Sequence, residues 1–327
     1  MTMLISRLLS NSHLKVTAMR AFLTANRFSG ILLLIMILSY ASNLSAQQSS
    51  IYSNFMFNRL AINPAYAGSQ DQLNVTAIHR RQWENFEGAP STSAFSAHKY
   101  LREKNIGIGL MASSDQIGIH TDNRLYLVYA YKIETKAGTL SLGLQGGFSR
   151  LSSDFSQLNL RSERDAMMSG MRSDFNPNFG TGAYFSNDRF FAGISIPYLI
   201  QNRLEGTTEA LAQAQEARYY MLTTGVVLDL NQDLKLVPSA LLRVQEGNAT
   251  GVDINTNMVI KDVLTVGLSY RSEMALTALM SINLSEQLSL GYAYDLTNND
   301  IGQYSNGSHE FVLNFRIPYS KVCHTYF

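Results

Sequence analysis

Gly251-Val252-Asp253-Ile254-Asn255-Thr256-Asn257-Met258-Val259-Ile260 reads as a strand with two chemically different faces. Val252, Ile254, Thr256 and Met258 fall on one side, and Asp253, Asn255 and Asn257 on the other, because successive side chains of a strand point to opposite faces. The neighbouring stretches repeat the pattern. Leu264, Val266, Leu268 and Tyr270 oppose Thr265, Gly267, Ser269 and Arg271; Leu276, Ala278, Met280, Ile282 and Leu284 oppose Thr277, Ser281 and Asn283. Further on, Leu288, Leu290, Tyr292, Tyr294 and Leu296 oppose Ser289, Gly291, Ala293 and Asp295, and Phe311, Leu313, Phe315 and Ile317 oppose Asn314 and Arg316. Earlier in the chain, Leu140, Leu142 and Leu144 oppose Ser141, Gly143 and Gln145.

Working outward in both directions, this period of two covers the chain from about residue 71 and predicts fourteen strands: 71–83, 90–101, 105–114, 122–134, 138–150, 178–186, 188–198, 217–230, 233–245, 251–260, 262–271, 274–284, 286–296 and 307–317. Most of these are close to the ~10 residues with which a tilted strand crosses a bilayer. The connections sort into two classes. Those after even-numbered strands are tight: Arg102-Glu103-Lys104, Thr135-Lys136-Ala137, Asn187, Asn231-Gln232, Lys261 and Ser285. Those after odd-numbered strands are mostly long: 84–89, 115–121, 151–177, 199–216, 246–250 and 297–306, with 272–273 the short exception. Short turns at one end and long loops at the other are the asymmetry of an outer-membrane barrel, turns in the periplasm and loops outside. Alternation alone does not separate such a barrel from a soluble sandwich. Sorted connections, and apolar faces ending in aromatics such as Tyr129, Tyr131, Tyr292 and Tyr294, favour the membrane. The fold expected is therefore all-β, a transmembrane antiparallel up-and-down barrel over 71–320, with a tail at 321–327. In the first strand Val75 and Ala77 are followed by Ile78 out of phase, which a bulge would repair.

Composition agrees. Of 327 residues only 16% are charged, below the ~25% usual in soluble domains, while 46% are hydrophobic. A near-neutral chain, formally +1, lacks the basic stripe that nucleic-acid binding needs. One Cys excludes an internal disulfide framework and any multi-thiolate metal site. Residues 1–46 hold Arg7, Lys15, Arg20 and Arg27 and no acidic residue, then the apolar run Ile31–Leu38 and the small-residue stretch Ala41–Ala46. That is the layout of a secretory signal peptide, with Gln47 as the new N-terminus and Met19 as a second plausible start. Its apolar run is shorter than the ~20 residues of a spanning helix. Removing its four basic residues from 26 leaves 22 against 25 acidic, a net −3.

Between leader and barrel lies 47–70, expected to be a short periplasmic or plug-like segment. It contains Asn54-Phe55-Met56-Phe57-Asn58-Arg59-Leu60-Ala61-Ile62-Asn63-Pro64-Ala65-Tyr66-Ala67-Gly68. Pro64 and Gly68 forbid a continuous helix or strand, and Asn63-Pro64 starts a turn. This element, followed by Arg80-Arg81-Gln82-Trp83 and Pro90-Ser91-Thr92-Ser93, resembles the opening of the PorP/SprF family of type IX secretion and gliding-motility membrane proteins. Ile106-Gly107-Ile108-Gly109-Leu110, Asp115-Gln116-Ile117-Gly118 and Gly291-Tyr292 extend the resemblance over essentially all of 47–320. It implies an outer-membrane barrel that assists secretion or surface anchoring of a large partner protein, or links the apparatus to periplasmic components. The motif residues Asn63, Pro64, Ala65, Tyr66, Gly68, Arg81 and Trp83 become candidates for a structural or partner-contact role. Phe55, Phe57, Leu60 and Tyr66 would plug the lumen, meet a periplasmic partner, or close the barrel base.

Lys132, Asp253, Arg271, Asp295 and Arg316 are expected to face the lumen, lining a channel or pairing to plug it. A passive or selective pore is accordingly the alternative function. Expected partners are outer-membrane lipid and secretion components or a large cell-surface protein, with no nucleic acid and no evident small-molecule substrate. No catalytic, cofactor-binding or metal residue is assigned. Ser96 and His98 stand two apart on one strand face, about 7 Å, outside the reach a catalytic dyad needs. Asp295, Asn298, Asn299 and Asp300 do not follow a calcium-loop spacing. Met167, Met168 and Met171 make the loop 151–177 an adaptable apolar surface, and Glu209–Ala217 suits a short helix.

Overall fold

The computed structural model describes residues 55–157, 170–202, 218–245, 250–272, 275–298 and 300–318. The leader expected over 1–46, Met167 and Met168, the Glu209–Ala217 stretch, Asn299 and the tail with Cys323 lie outside them. Fourteen strands follow in chain order, once the two-residue piece Leu228–Asp229 is counted with the strand it continues. They are β1 Gln72–Arg81, β2 Ser91–Leu101, β3 Ile106–Ile117, β4 His120–Thr135, β5 Gly138–Asp154, β6 Met171–Ser186 and β7 Phe190–Ile196. Then come β8 Tyr219–Val226, β9 Leu234–Gln245, β10 Gly251–Ile260, β11 Leu264–Arg271, β12 Ala275–Asn283, β13 Leu288–Thr297 and β14 Ser308–Pro318. Each pairs antiparallel with the next, and β1 pairs with β14 from Gln72↔Pro318 to Arg81↔His309, which closes the sheet into a barrel.

The faces are inverted relative to a soluble protein. Leu127, Leu144, Ile194, Leu268 and Phe311 lie on the outside, each more than half exposed, while Gln145, Asn178, Asn255, Thr277 and Glu310 are buried inside. A soluble barrel buries its leucines and exposes its amides. A wall with this polarity suits hydrocarbon outside, where backbone groups must be satisfied by strand pairing and not by water. Turn chemistry supports the tight end. In the β10–β11 hairpin Lys261 and Asp262 both take positive φ, 51° and 56°, and the Val263 N–H donates to Ile260 O at 3.0 Å. Two left-handed central residues twist the hairpin in the sense of its strands.

Three local expectations change. The 115–121 loop shrinks to Gly118-Ile119, because β3 and β4 stay registered to Ile117↔His120. β5 and β6 run past the bilayer length to Asp154↔Met171, so β6 begins at Met171 instead of 178 and takes Met171 into the ladder. β1 has no bulge: its registers with β2 and β14 are unbroken. Ile78 belongs in phase with the inner residues Asn74, Thr76 and Arg80, and it is apolar because it meets Phe57 and Val312 inside the barrel.

Leu268 sits at the middle of a lipid-facing strand. Leu268→Arg is expected to cost about 2–4 kcal/mol, whereas Leu284→Arg at the turn end costs about 0–1 kcal/mol. Urea titration of the heat-modifiable folded band in lipid micelles measures the difference.

Candidate functional site in the barrel lumen

Residues 55–70 lie against the inner wall, and their main chain is ordered by the motif itself. Asn63 caps a short turn over Pro64–Tyr66: its Oδ1 accepts the Ala65 N–H at 2.9 Å, and Pro64 stands at the first turn position, where a missing N–H costs nothing. The other end of the same amide donates to Ala183 O on β6 at 2.9 Å. Ser195 Oγ on β7 donates to Ile62 O at 2.7 Å, and the Gly68 N–H donates to His98 Nδ1 on β2 at 3.1 Å.

The wall makes room for this backbone with glycine. A Cβ at Gly107 would come 2.0 Å from Ala67 O, one at Gly143 2.1 Å from Ala65 N, and one at Gly182 2.2 Å from Asn63 Oδ1. These three positions on β3, β5 and β6 therefore form a cradle that any larger residue would fill. Tyr66 then sits edge-on to His98 and Tyr184, with ring centroids 5.4 and 5.5 Å apart. The Arg59 guanidinium lies over Phe191 at 4.6 Å. Leu60, Ala65, Tyr66 and Ala67 join inward residues such as Tyr126, Val128 and Phe191 in the largest apolar cluster of the described residues. Phe55 packs on Leu241, and Phe57 on Ile78 and Val312.

The end of the lumen nearer the long connections carries two buried ionic clusters. On β1, β13 and β14, Arg80 Nη2 is 2.8 Å from Asp295 Oδ2 and Nη1 is 3.4 Å from Glu310 Oε2; Thr277 Oγ1 donates to Asp295 Oδ1 at 2.7 Å. On β9, β10 and β11, Asp253 Oδ1 accepts from Arg243 Nη2 at 2.9 Å and Arg271 Nε at 3.2 Å. One cluster sets two carboxylates on one cation and the other two cations on one carboxylate, so the pair is neutral in sum but polarised across the wall.

The expected inner residues sort accordingly. Asp253, Arg271 and Asp295 enter these clusters. Lys132 is buried toward the tight-turn end with its Nζ 5.0 Å from the centre of the Tyr100 ring. Arg316, on the same end, donates to Asn283 Oδ1 at 2.9 Å and Ser289 Oγ at 2.5 Å. Of the motif residues, Asn63, Pro64, Ala65, Tyr66 and Gly68 are brought together in the lumen, and Arg81 and Trp83 are not. Arg81 is exposed on the outer side, 3.2 Å from Glu84. Trp83, at φ 47°, lies in the β1–β2 loop and donates its N–H to Ser308 Oγ at the start of β14. The inner partner is Arg80, which the alternation with Asn74 and Thr76 marks; Glu310 and Arg243 likewise follow from parity. Ser96 and His98 are both inside, with His98 engaged by Gly68, while His309 lies outside, its Nδ1 2.7 Å from Tyr292 Oη. Among the described residues no group of three or more His, Cys, Asp or Glu is arranged to hold a metal ion.

The family description "Type IX secretion system membrane protein PorP/SprF" matches residues 44–315. The chain belongs to the PorP/SprF family. A PorP/SprF protein with this lipid-facing barrel is an outer-membrane protein. Solved structures similar to it include the Acinetobacter baumannii outer membrane protein Omp33, with 9% identity and a TM-score of 0.46 over 77% of this chain and 100% of that one. The CymD monoaromatic hydrocarbon channel has 10% identity and a TM-score of 0.46, covering 83% and 94%. A Pseudomonas aeruginosa FadL homologue has 14% identity and a TM-score of 0.42, covering 81% and 94%. No curated protein matches the chain. Likenesses this distant say nothing of cargo or partner.

Two substitutions separate the PorP/SprF lumen's parts. Gly143→Val displaces the 63–66 turn while leaving the wall's pairing intact, so trypsin is expected to cut at Arg59 in the variant and not in the parent protein. Arg80→Met removes the cation shared by two buried carboxylates and is expected to lower stability by about 3–5 kcal/mol, read from the same urea titration; replacing Arg80, Asp295 and Glu310 together with apolar residues costs less.

Proposed function

We propose that this barrel is a protein-handling accessory of the type IX secretion apparatus, assisting the secretion or surface attachment of a large partner protein or linking the apparatus to periplasmic components. The observation that carries the reading is the docking of 55–68 in the lumen. A wall with glycines at the points of backbone contact, an Asn63 side chain shared between turn and wall, and a Tyr66 ring among His98 and Tyr184 support an occluded barrel more than a diffusion path. In this orientation the tight turns face the periplasm and the long connections face outside.

A second reading, a passive or selective pore, draws on the polarised ionic clusters, since charged side chains along a lumen can set ion selectivity. Planar-bilayer recording and surface proteomics separate the two. Under the accessory reading the full chain passes little current, a variant lacking 55–68 conducts, and a strain without the protein loses one large protein from its surface. A large steady current from the full chain, with an unchanged surface proteome in the deletion strain, would establish the pore instead.

A further inference from the structure

A closed barrel has no free strand edges only while its neighbouring strands match in length, and here they do not. β6 is paired with β5 along all 16 of its residues, but β7 has only seven and meets β6 only from Thr181↔Ile196 to Ser186↔Phe191. Beyond Ile196 the chain leaves the wall and turns inward. Gln145 Nε2 donates to Pro197 O at 2.8 Å, and Tyr198 packs on the inward Tyr126 ring at 5.5 Å. A few bonds then cover the next part of β6: Leu199 N–H to Phe179 O at 2.8 Å, Ile200 N–H to Asn178 Oδ1 at 3.0 Å, and Asn202 Nδ2 to Pro177 O at 3.3 Å. Among the described residues no strand pairs with the far side of Met171, Ser173 and Phe175.

The parity of that edge is set. Phe179 O points away from β5, toward Leu199, so the N–H and C=O of every second residue from it, at 177, 175, 173 and 171, point the same way. Gly170 O, of the other parity, accepts the Phe155 N–H within the β5–β6 hairpin at 3.1 Å. The last position of the covered stretch is Pro177, whose carbonyl accepts from Asn202 and which has no N–H to leave unpaired. Phe175, Ser173 and Met171 follow, and each presents a donor and an acceptor. Phe175 is 63% exposed and stacks at 4.8 Å on Phe148, where the outward apolar band ends; Met171 is 69% exposed. An unpaired row of backbone groups bordering hydrocarbon is costly, and a strand laid along it satisfies the row at once.

We propose that the Met171–Phe175 edge of β6 is a strand-addition site for an extended segment of the exported partner protein, an inference that rests on the accessory reading above. The hydrogen-bonding row selects an extended polypeptide, and the exposed Phe175 and Met171 select apolar side chains at alternate positions on its lipid-side face. The chain's own 203–217 connection is a poor occupant by composition: Ala, Glu, Gln and Leu dominate it, and it has no Val, Ile or aromatic residue.

The test uses the full chain in lipid micelles and, as probe, the purified secreted protein whose surface level falls most in the deletion strain. Amide hydrogen exchange at Met171, Ser173 and Phe175 is expected to be fast in the barrel alone and to slow about tenfold or more with saturating probe. Ser173→Pro removes one edge donor without touching the β5 ladder and is expected to weaken probe binding about tenfold, whereas Ser173→Ala keeps the backbone donor and binds as the parent protein does. Heat-modifiability verifies that both variants are folded barrels. A probe that binds with no change in exchange, or binds Ser173→Pro equally well, overturns the edge site and leaves the accessory reading standing. Amides already protected in the barrel alone overturn it too, since the chain then covers its own edge. If no surface protein falls in the deletion strain, the accessory reading fails and takes the edge site with it.

Discussion

Inside a hydrocarbon layer no backbone N–H or C=O can be left to water, so the barrel depends on the pairing of its first strand with its last. β1 and β14 stand at opposite ends of the chain and share ten registered positions. That seam is reinforced from within. Asn314 Nδ2 donates to Asn74 Oδ1 at 2.7 Å and to Thr76 Oγ1 at 2.8 Å, and Arg80 reaches past β14 to Asp295 on β13. At the rim, Glu84 N–H donates to Gly307 O and Asn306 N–H to Glu84 O, tying the loops that leave the two strands. Closure is the contact of longest sequence separation, and side-chain hydrogen bonds and ion pairs support it from inside.

Once closed, the wall has its apolar face outside, and the question becomes what fills the inside. Side chains alone do so at one end, where buried Arg and carboxylate groups neutralise each other. At the other end the chain supplies its own N-terminal segment. The two fillings obey different rules. Ionic clusters need partners at charge-assisted hydrogen-bond distance, because a stranded buried charge is costly. The segment needs space at the backbone, which is why inward glycines recur where Asn63, Ala65 and Ala67 approach. Gly143 and Gly182 are also Cα partners across β5 and β6, so one patch of bare wall serves the whole turn.

Much of the architecture was legible because a strand's side-chain period is two and a lipid-facing wall keeps it strictly. The 251–260 strand is met residue for residue, and tight and long connections fall at opposite ends as their lengths suggest. Parity also contained information that the motif reading passed over: Arg80 is in phase with Asn74 and Thr76, while the resemblance directed notice to Arg81. Other features had no one-dimensional sign. That Asp253 meets Arg243 and Arg271 depends on registers across three strands. That Ile78 is inward was obscured because its reason, Phe57, lies in a different segment. The extra length of β5 and β6 was hidden because polar residues such as Ser152, Ser153 and Ser173 read as loop when they are the continuation of strands beyond the apolar band.

That extension links the lumen to the outer surface. A strand pair that outruns its neighbour must either curl, be covered, or present an edge. β7 stops early because Pro197 and Tyr198 turn inward to pack on Gln145 and Tyr126, so the same residues that help fill the lumen also uncover β6. Filling and uncovering are therefore two results of one bend in the chain. A substitution that let 197–200 continue along the wall would extend β7, cover the β6 edge and empty part of the lumen together. The barrel cannot be both open inside and fully paired outside at this height without a different chain path, and in this path an occupied interior goes with an available edge.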